Sequence, residues 1–214
     1  ALQGQQPQWQ PMQWIFFPLT SPNTKHPISK NLDLVKLEYA ASIDTVSAKG
    51  IEKTVLLQSS RFTKTLNAPV RVFLKSIFQQ PDERQFTDSY RPVAVLLEGE
   101  FESVYKNRIP PKIANDSTIG YKPHGVRTKM IVISDGDILR NEIQYSTKKP
   151  YPLGLDRMTN QVYGNKNFIL NCINYLCDDS GLISVRAREL TLRLLDKKKV
   201  KAEGAKWKWI NTLL

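Results

Sequence analysis

The chain has 214 residues, 41% hydrophobic and 24% charged, a composition ordinary for a globular protein with a substantial core. Its formal net charge is +11, and nine Lys and Arg against three acids (Glu189, Asp196, Glu203) put +6 of that between Leu182 and Leu214. No stretch approaches the roughly 18 apolar residues of a membrane span, and two cysteines are too few for a disulfide framework.

No basic run is interleaved with aromatics and no zinc-finger or RNA-recognition signature occurs, so the charge reads as solvated face and no nucleic-acid partner is expected. The start at Ala1, with neither Met nor a basic-then-apolar leader, suggests a piece of a longer protein.

Residues 1–11, rich in Gln and Pro, read as a loose lead-in. Trp14-Ile15-Phe16-Phe17-Pro18 suits a short strand closed by proline, and Thr20 to Ser29 suits a loop. Leu32 to Ala40 fits a short helix or an extended segment. Thr54 to Ser60 reads as a strand entering a polar turn, and Val70 to Leu74 as a brief second one. Gln79 to Pro92 is polar and punctuated by proline. Val93 to Gly99 predicts a buried strand, followed by an amphipathic helix over Phe101 to Arg108 and a long surface loop over 107–127.

Lys129 to Ser134 predicts a further buried strand with Asp135-Gly136-Asp137 as its exit. Tyr151 to Asn160 is loop. Asn165 to Cys177 carries the best helical periodicity, with Phe168, Cys172, Tyr175 and Leu176 on one face, and Asp178 to Gly181 stops it. Cys172 and Cys177 project from different faces of that helix and read as buried free thiols. Ile183, Val185 and Ala187 alternate as in a strand, and Trp207 to Leu214 forms a small amphipathic end.

Near-continuous apolar strands followed by turns and helices predict a single α/β domain over 1–214: three layers, a mostly parallel or mixed sheet with helices on both faces. In open α/β sheets ligands bind beyond the carboxyl ends of strands. Asp135 and Asp137 therefore stand where oxygen ligands for a hard cation would be, and Glu98-Gly99 repeats the pattern on a second strand. The competing reading is a tight turn allowed by Gly136, with each acid capping the segment behind it. Arg186, Arg188 and Arg193 are candidate partner contacts, or guards of a solvated strand edge.

Catalytic chemistry is poorly supplied. His26 and His124 fall in predicted loops, both cysteines sit in a helix, and no nucleophile elbow, closed zinc spacing or glycine-rich phosphate loop occurs. No catalytic residue, resident metal or cofactor is expected.

Four ordered segments resemble the auxiliary component of the gliding-motility ABC transporter of Bacteroidetes, the GldG-type family. The first is Trp14-Ile-Phe-Phe-Pro-Leu with His26-Pro-Ile-Ser-Lys-Asn-Leu; the second runs from Val95 to Arg108. The third is Val132-Ile-Ser-Asp-Gly-Asp-Ile-Leu-Arg-Asn141 with Gly164-Asn-Lys-Asn-Phe168, and the last runs from Leu182 to Asp196 and on to Trp207 and Asn211.

The resemblance implies a glutamine-amidotransferase-like fold without its nucleophile; the flavodoxin-like arrangement is the other form of this class. It implies a domain held between membrane spans at the periplasmic face of the bacterial inner membrane, with a span just after Leu214. It also implies an N-terminal portion that completes the fold. Permease and ATPase subunits of the transporter would be its partners. The function expected is a non-enzymatic accessory acting by protein–protein or ligand interaction; the rival is a metal-dependent hydrolase or small-ligand domain using Asp135, Asp137 and Glu98.

Overall fold

Four consecutive apolar residues, Val93 to Leu96, are almost wholly removed from solvent and form the heart of the longest strand. The computed structural model describes residues 12, 14–79, 81–178, 180–181 and 183. Five strands form its main sheet: β1 (Leu19–Pro22), β2 (Val35–Lys36), β3 (Ile51–Gln58), β4 (Pro92–Glu102) and β5 (His124–Ile133). Their order is β2-β1-β3-β4-β5, and every pairing is antiparallel. A separate ribbon joins β6 (Leu155–Asp156) to β7 (Gln161–Val162). Helix α1 (Pro111–Ala114) is one turn long, and α2 (Asn165–Cys177) occupies the residues whose periodicity marks it. No helix among the described residues is long and apolar enough to cross a membrane.

The expected three-layer, mostly parallel or mixed α/β sheet is therefore wrong: this is an antiparallel sheet with few helices. The error has a physical origin. An apolar run shows that a strand is buried, but not which way its neighbours point. The helix expected over Phe101 to Arg108 would have provided the crossover a parallel sheet needs. Instead β4 continues through Glu102, because Glu98, Glu100 and Glu102 alternate with Gly99 and Phe101 at the strand period. The chain turns through Ser103 to Arg108, and β5 returns beside β4, with Leu96 opposite Ile131 and Glu98 opposite Lys129. Much of the loop expected over 107–127 is irregular, though it holds α1 and the start of β5.

Other expectations shift locally. Trp14 to Phe17 makes a turn and an aromatic cluster, and the strand begins after Pro18. Val70 to Phe73 is irregular and leads into a 3-10 turn at Leu74–Phe78. Along β5, Ile131 and Ile133 are half-buried while Met130 and Val132 are exposed, so it is an edge strand covered on one face. The strand expected from Ile183 and the amphipathic end at Trp207 to Leu214 lie outside the described residues, apart from Ile183 itself.

The main core lies between the sheet and α2. Phe168 and Cys172, one turn apart, pack with Leu56, Leu57, Ala94 and Leu96. Asn165 fastens the helix start to β2: its side-chain oxygen accepts from the Lys36 amide at 3.0 Å, and its side-chain nitrogen donates to the Lys36 carbonyl at 2.7 Å. The Gly164 amide donates to the Leu34 carbonyl at 2.9 Å, and a Cβ at Gly164 would stand 2.8 Å from the Asp33 oxygen.

Gly99 is the tightest point of the ladder. It lies opposite Ile51 with φ +153°, and a Cβ there would overlap the Gly50 carbonyl and stand 2.9 Å from the Ile51 Cδ1. Gly99→Ala is expected to destabilise the fold by about 2–3 kcal/mol in chemical denaturation. A midpoint equal to that of the parent chain would contradict this packing.

Candidate functional site

The turn after β5 is built around one carboxylate. Asp135 is 6% exposed; one of its oxygens accepts from the Asp137 amide and the other from the Glu38 amide, both at 2.7 Å. Two charge-assisted bonds offset the desolvation of a buried acid. The second bond joins opposite ends of the strand order, stapling the segment after β2 to the end of β5. The Ser134 amide and hydroxyl both donate to the Val93 carbonyl, at 3.0 and 3.1 Å, which anchors the turn to β4.

From this turn a line of alternating charges borders a shallow cleft. Asp137 meets Arg140 at 3.1 Å, and Arg140 reaches Glu38 at 2.8 Å. Glu38 lies 3.7 Å from Lys36, which is 3.5 Å from Asp156. Tyr151, Gly154 and Asn165 complete the cleft wall. Lys36 also sits over the Phe17 ring, 5.1 Å from its centre, so the aromatic cluster of Trp14, Phe16, Phe17 and Tyr39 adjoins this edge.

Glu98 does not join Asp135 and Asp137. It stands inside β4, flanked across the ladder by Glu52 and Lys129, not at a strand end. Its carboxylate accepts from the Tyr175 hydroxyl at 3.0 Å. Burial, that hydrogen bond, and the charges of Glu98 and Glu52 push the Tyr175 hydroxyl up to about 12. Lys129 lies 4.4 Å from the centre of the Tyr175 ring, and His26 packs on its edge at 5.1 Å. The Nδ1 of His26 accepts from the Ile28 amide at 3.3 Å. Burial holds His26 below its ordinary pKa, against the pull of Glu98 in the other direction.

Of the three candidate ligands, the fold thus places two in one turn and the third on another part of the sheet. Among the described residues no three His, Cys, Asp or Glu side chains converge in a metal-holding group. Cys172 is a core thiol pushed up to about 12 by burial, whereas Cys177 is exposed, contrary to the expectation that both are buried. Arg186, Arg188 and Arg193 lie outside the described residues.

Sequence reasoning missed Lys36, Glu38, Arg140 and Tyr175. Arg140 and Glu38 are 102 positions apart, so no local spacing could pair them. The Tyr175–Glu98 contact had one available signal: Tyr175 belongs to the inward helix face, where a hydroxyl needs a partner.

A family model described as an ABC-type uncharacterized transport system, auxiliary component, matches residues 1–172. Neither a curated protein nor a solved structure matches the chain.

Two outcomes follow from the geometry. Asp135→Ala strips the acceptors from two backbone amides and is expected to cost about 2–4 kcal/mol, whereas Asp137→Ala, on a half-exposed pair, should cost about 1 kcal/mol or less. Equal losses in urea titration would refute the staple. His26 binds its proton less readily folded than unfolded, so the unfolded chain takes up more protons as pH falls below about 6.5. Stability should rise with pH through that window, and His26→Gln should flatten the slope measured by thermal unfolding at a series of pH values.

Proposed function

We infer the role of this chain from its family: it belongs to the auxiliary components of ABC-type transport systems. Within that family we read it as a non-enzymatic accessory whose work is binding, with the permease and ATPase subunits of its transporter as partners. The observation that carries this reading is the commitment of Asp135, Glu98 and His26 to the fold itself. Asp135 is consumed by two backbone amides, Glu98 by Tyr175, and His26 Nδ1 by the Ile28 amide. A general base or a nucleophile has to reach a substrate, whereas these groups already serve as fasteners within the fold.

The resemblance of the four segments to the gliding-motility auxiliary component supports a finer version of the same role, at the periplasmic face of the inner membrane. In that version Arg186, Arg188 and Arg193 are partner contacts, placed in the most basic part of the chain.

Affinity isolation of the tagged, full-length protein from native membranes tests the reading. A permease and an ATPase of one ABC system should co-purify in fixed proportion and survive a salt wash. Recovery of the chain with neither subunit, under conditions where the two subunits hold together, would count against the accessory role.

A further inference from the structure

Between β3 and β4 the chain makes an excursion with a firm neck and an apolar tip. At the neck the Ser59 amide donates to the Arg91 carbonyl at 2.8 Å, and the Tyr90 amide to the Ser60 carbonyl at 3.1 Å. Further out, Thr63 and Asp88 exchange amide–carbonyl bonds of 2.8 and 2.9 Å. The Ser59 hydroxyl oxygen accepts from the Arg91 amide at 2.9 Å, and Arg91 pairs with Asp88 at 2.8 Å. The excursion is therefore held by backbone ladder bonds and an ion pair, even though its far end buries little.

That far end shows large apolar side chains to water. Phe73 is 61% exposed, Leu74 81% and Phe78 80%, with Val70 and Val72 also exposed. Ser76 and Ile77, on the inner side of the Leu74–Phe78 turn, are half-buried, and Ser76 borders a cavity shared with Trp14 and Gln85. In a 3-10 turn residues three apart eclipse, so Lys75 and Phe78 leave from the same side. Arg61, Lys64, Arg71 and Lys75 lie between positions 61 and 81 without one Asp or Glu, and the acids Asp82 and Glu83 stand on the returning limb. Arg61 stacks on the Phe62 ring, 5.8 Å from its centre.

Scattered single apolar residues on a surface are normal, but several large ones on one tip mark a contact surface. Apolar side chains interspersed with Lys and Arg suit the boundary between acyl chains and anionic headgroups, where the rings bury and the cations meet phosphate. The tip's basic side chains, with no acid among positions 61–81, complement anionic headgroups. We propose that the Val70–Phe78 tip is a membrane-surface anchor for anionic phospholipid. Arg71 and Lys75 meet the headgroups, and Phe73, Leu74 and Phe78 enter the layer beneath them. This surface is separate from the cleft beside Asp135, and lipid binding is read without any transporter subunit, so its failure leaves the accessory role standing.

The test is sedimentation of the 214-residue chain with phosphatidylcholine vesicles, with and without phosphatidylglycerol. The chain should bind the anionic vesicles and lose binding as salt is raised. Phe73→Ser/Leu74→Ser/Phe78→Ser should weaken that binding by about tenfold or more, and Arg71→Gln/Lys75→Gln should weaken it and reduce its salt dependence. All these side chains are exposed, and unchanged thermal unfolding of both variants would show the fold intact. The proposal is overturned if the parent chain stays in the supernatant with anionic vesicles at low salt. It is equally overturned if the triple variant binds like the parent, which would assign the interaction to other basic residues. Retained vesicle binding together with loss of a co-purifying subunit would also overturn it, by making the tip a protein contact.

Discussion

The ladder of β4 with its two long neighbours is the constraint on which the rest of the structure depends. Val93 to Leu96 is buried, so this strand needs cover on both faces and hydrogen-bond partners on both edges, and β3 and β5 supply the edges. Once that register is set, Ala94 and Leu96 face α2 together with Ile131 and Ile133, and Glu98 falls between Glu52 and Lys129. The same register brings the end of β5 beside Val93, where Ser134 is anchored and Asp135 can reach across to Glu38. Core, turn and staple thus share one origin.

The charged line beside that turn contrasts with the chain as a whole. Arg140 and Lys36 are each shared between two carboxylates, so the cleft is locally satisfied while the chain carries a large positive excess. The half-exposed Arg140–Asp137 pair contributes little stability, about 0–1 kcal/mol, whereas the Lys36 pairs with Glu38 and Asp156 are largely shielded from solvent. By sequence, the net positive excess falls mostly between positions 61 and 81 and in the residues beyond 183.

Parts of this were legible in the residues. The helix over Asn165–Cys177 follows from its periodicity and its polar stop, because a long amphipathic pattern depends on few distant contacts. The strands through Val95 and Ile131 were legible as strands, and Asp135-Gly136-Asp137 as a tight turn. Strand direction was not, since antiparallel and parallel neighbours bury the same apolar run. The continuation of β4 was visible in the alternation from Glu98 to Glu102, a pattern that outweighs the helical look of Phe101 to Arg108 once the strand period is followed.

By itself the sequence determined which segments are apolar, where the main helix lies, that Asp135 begins a tight turn, and where the charge concentrates. These properties depend on neighbours within a few positions. Only the tertiary structure decided that the sheet is antiparallel, that Glu98 stands apart from Asp135, and that Arg140 reaches Glu38. It also left Phe73, Leu74 and Phe78 in water instead of in the core. Each of these depends on pairings between distant positions, and local period and propensity carry no information about which distant segments will meet.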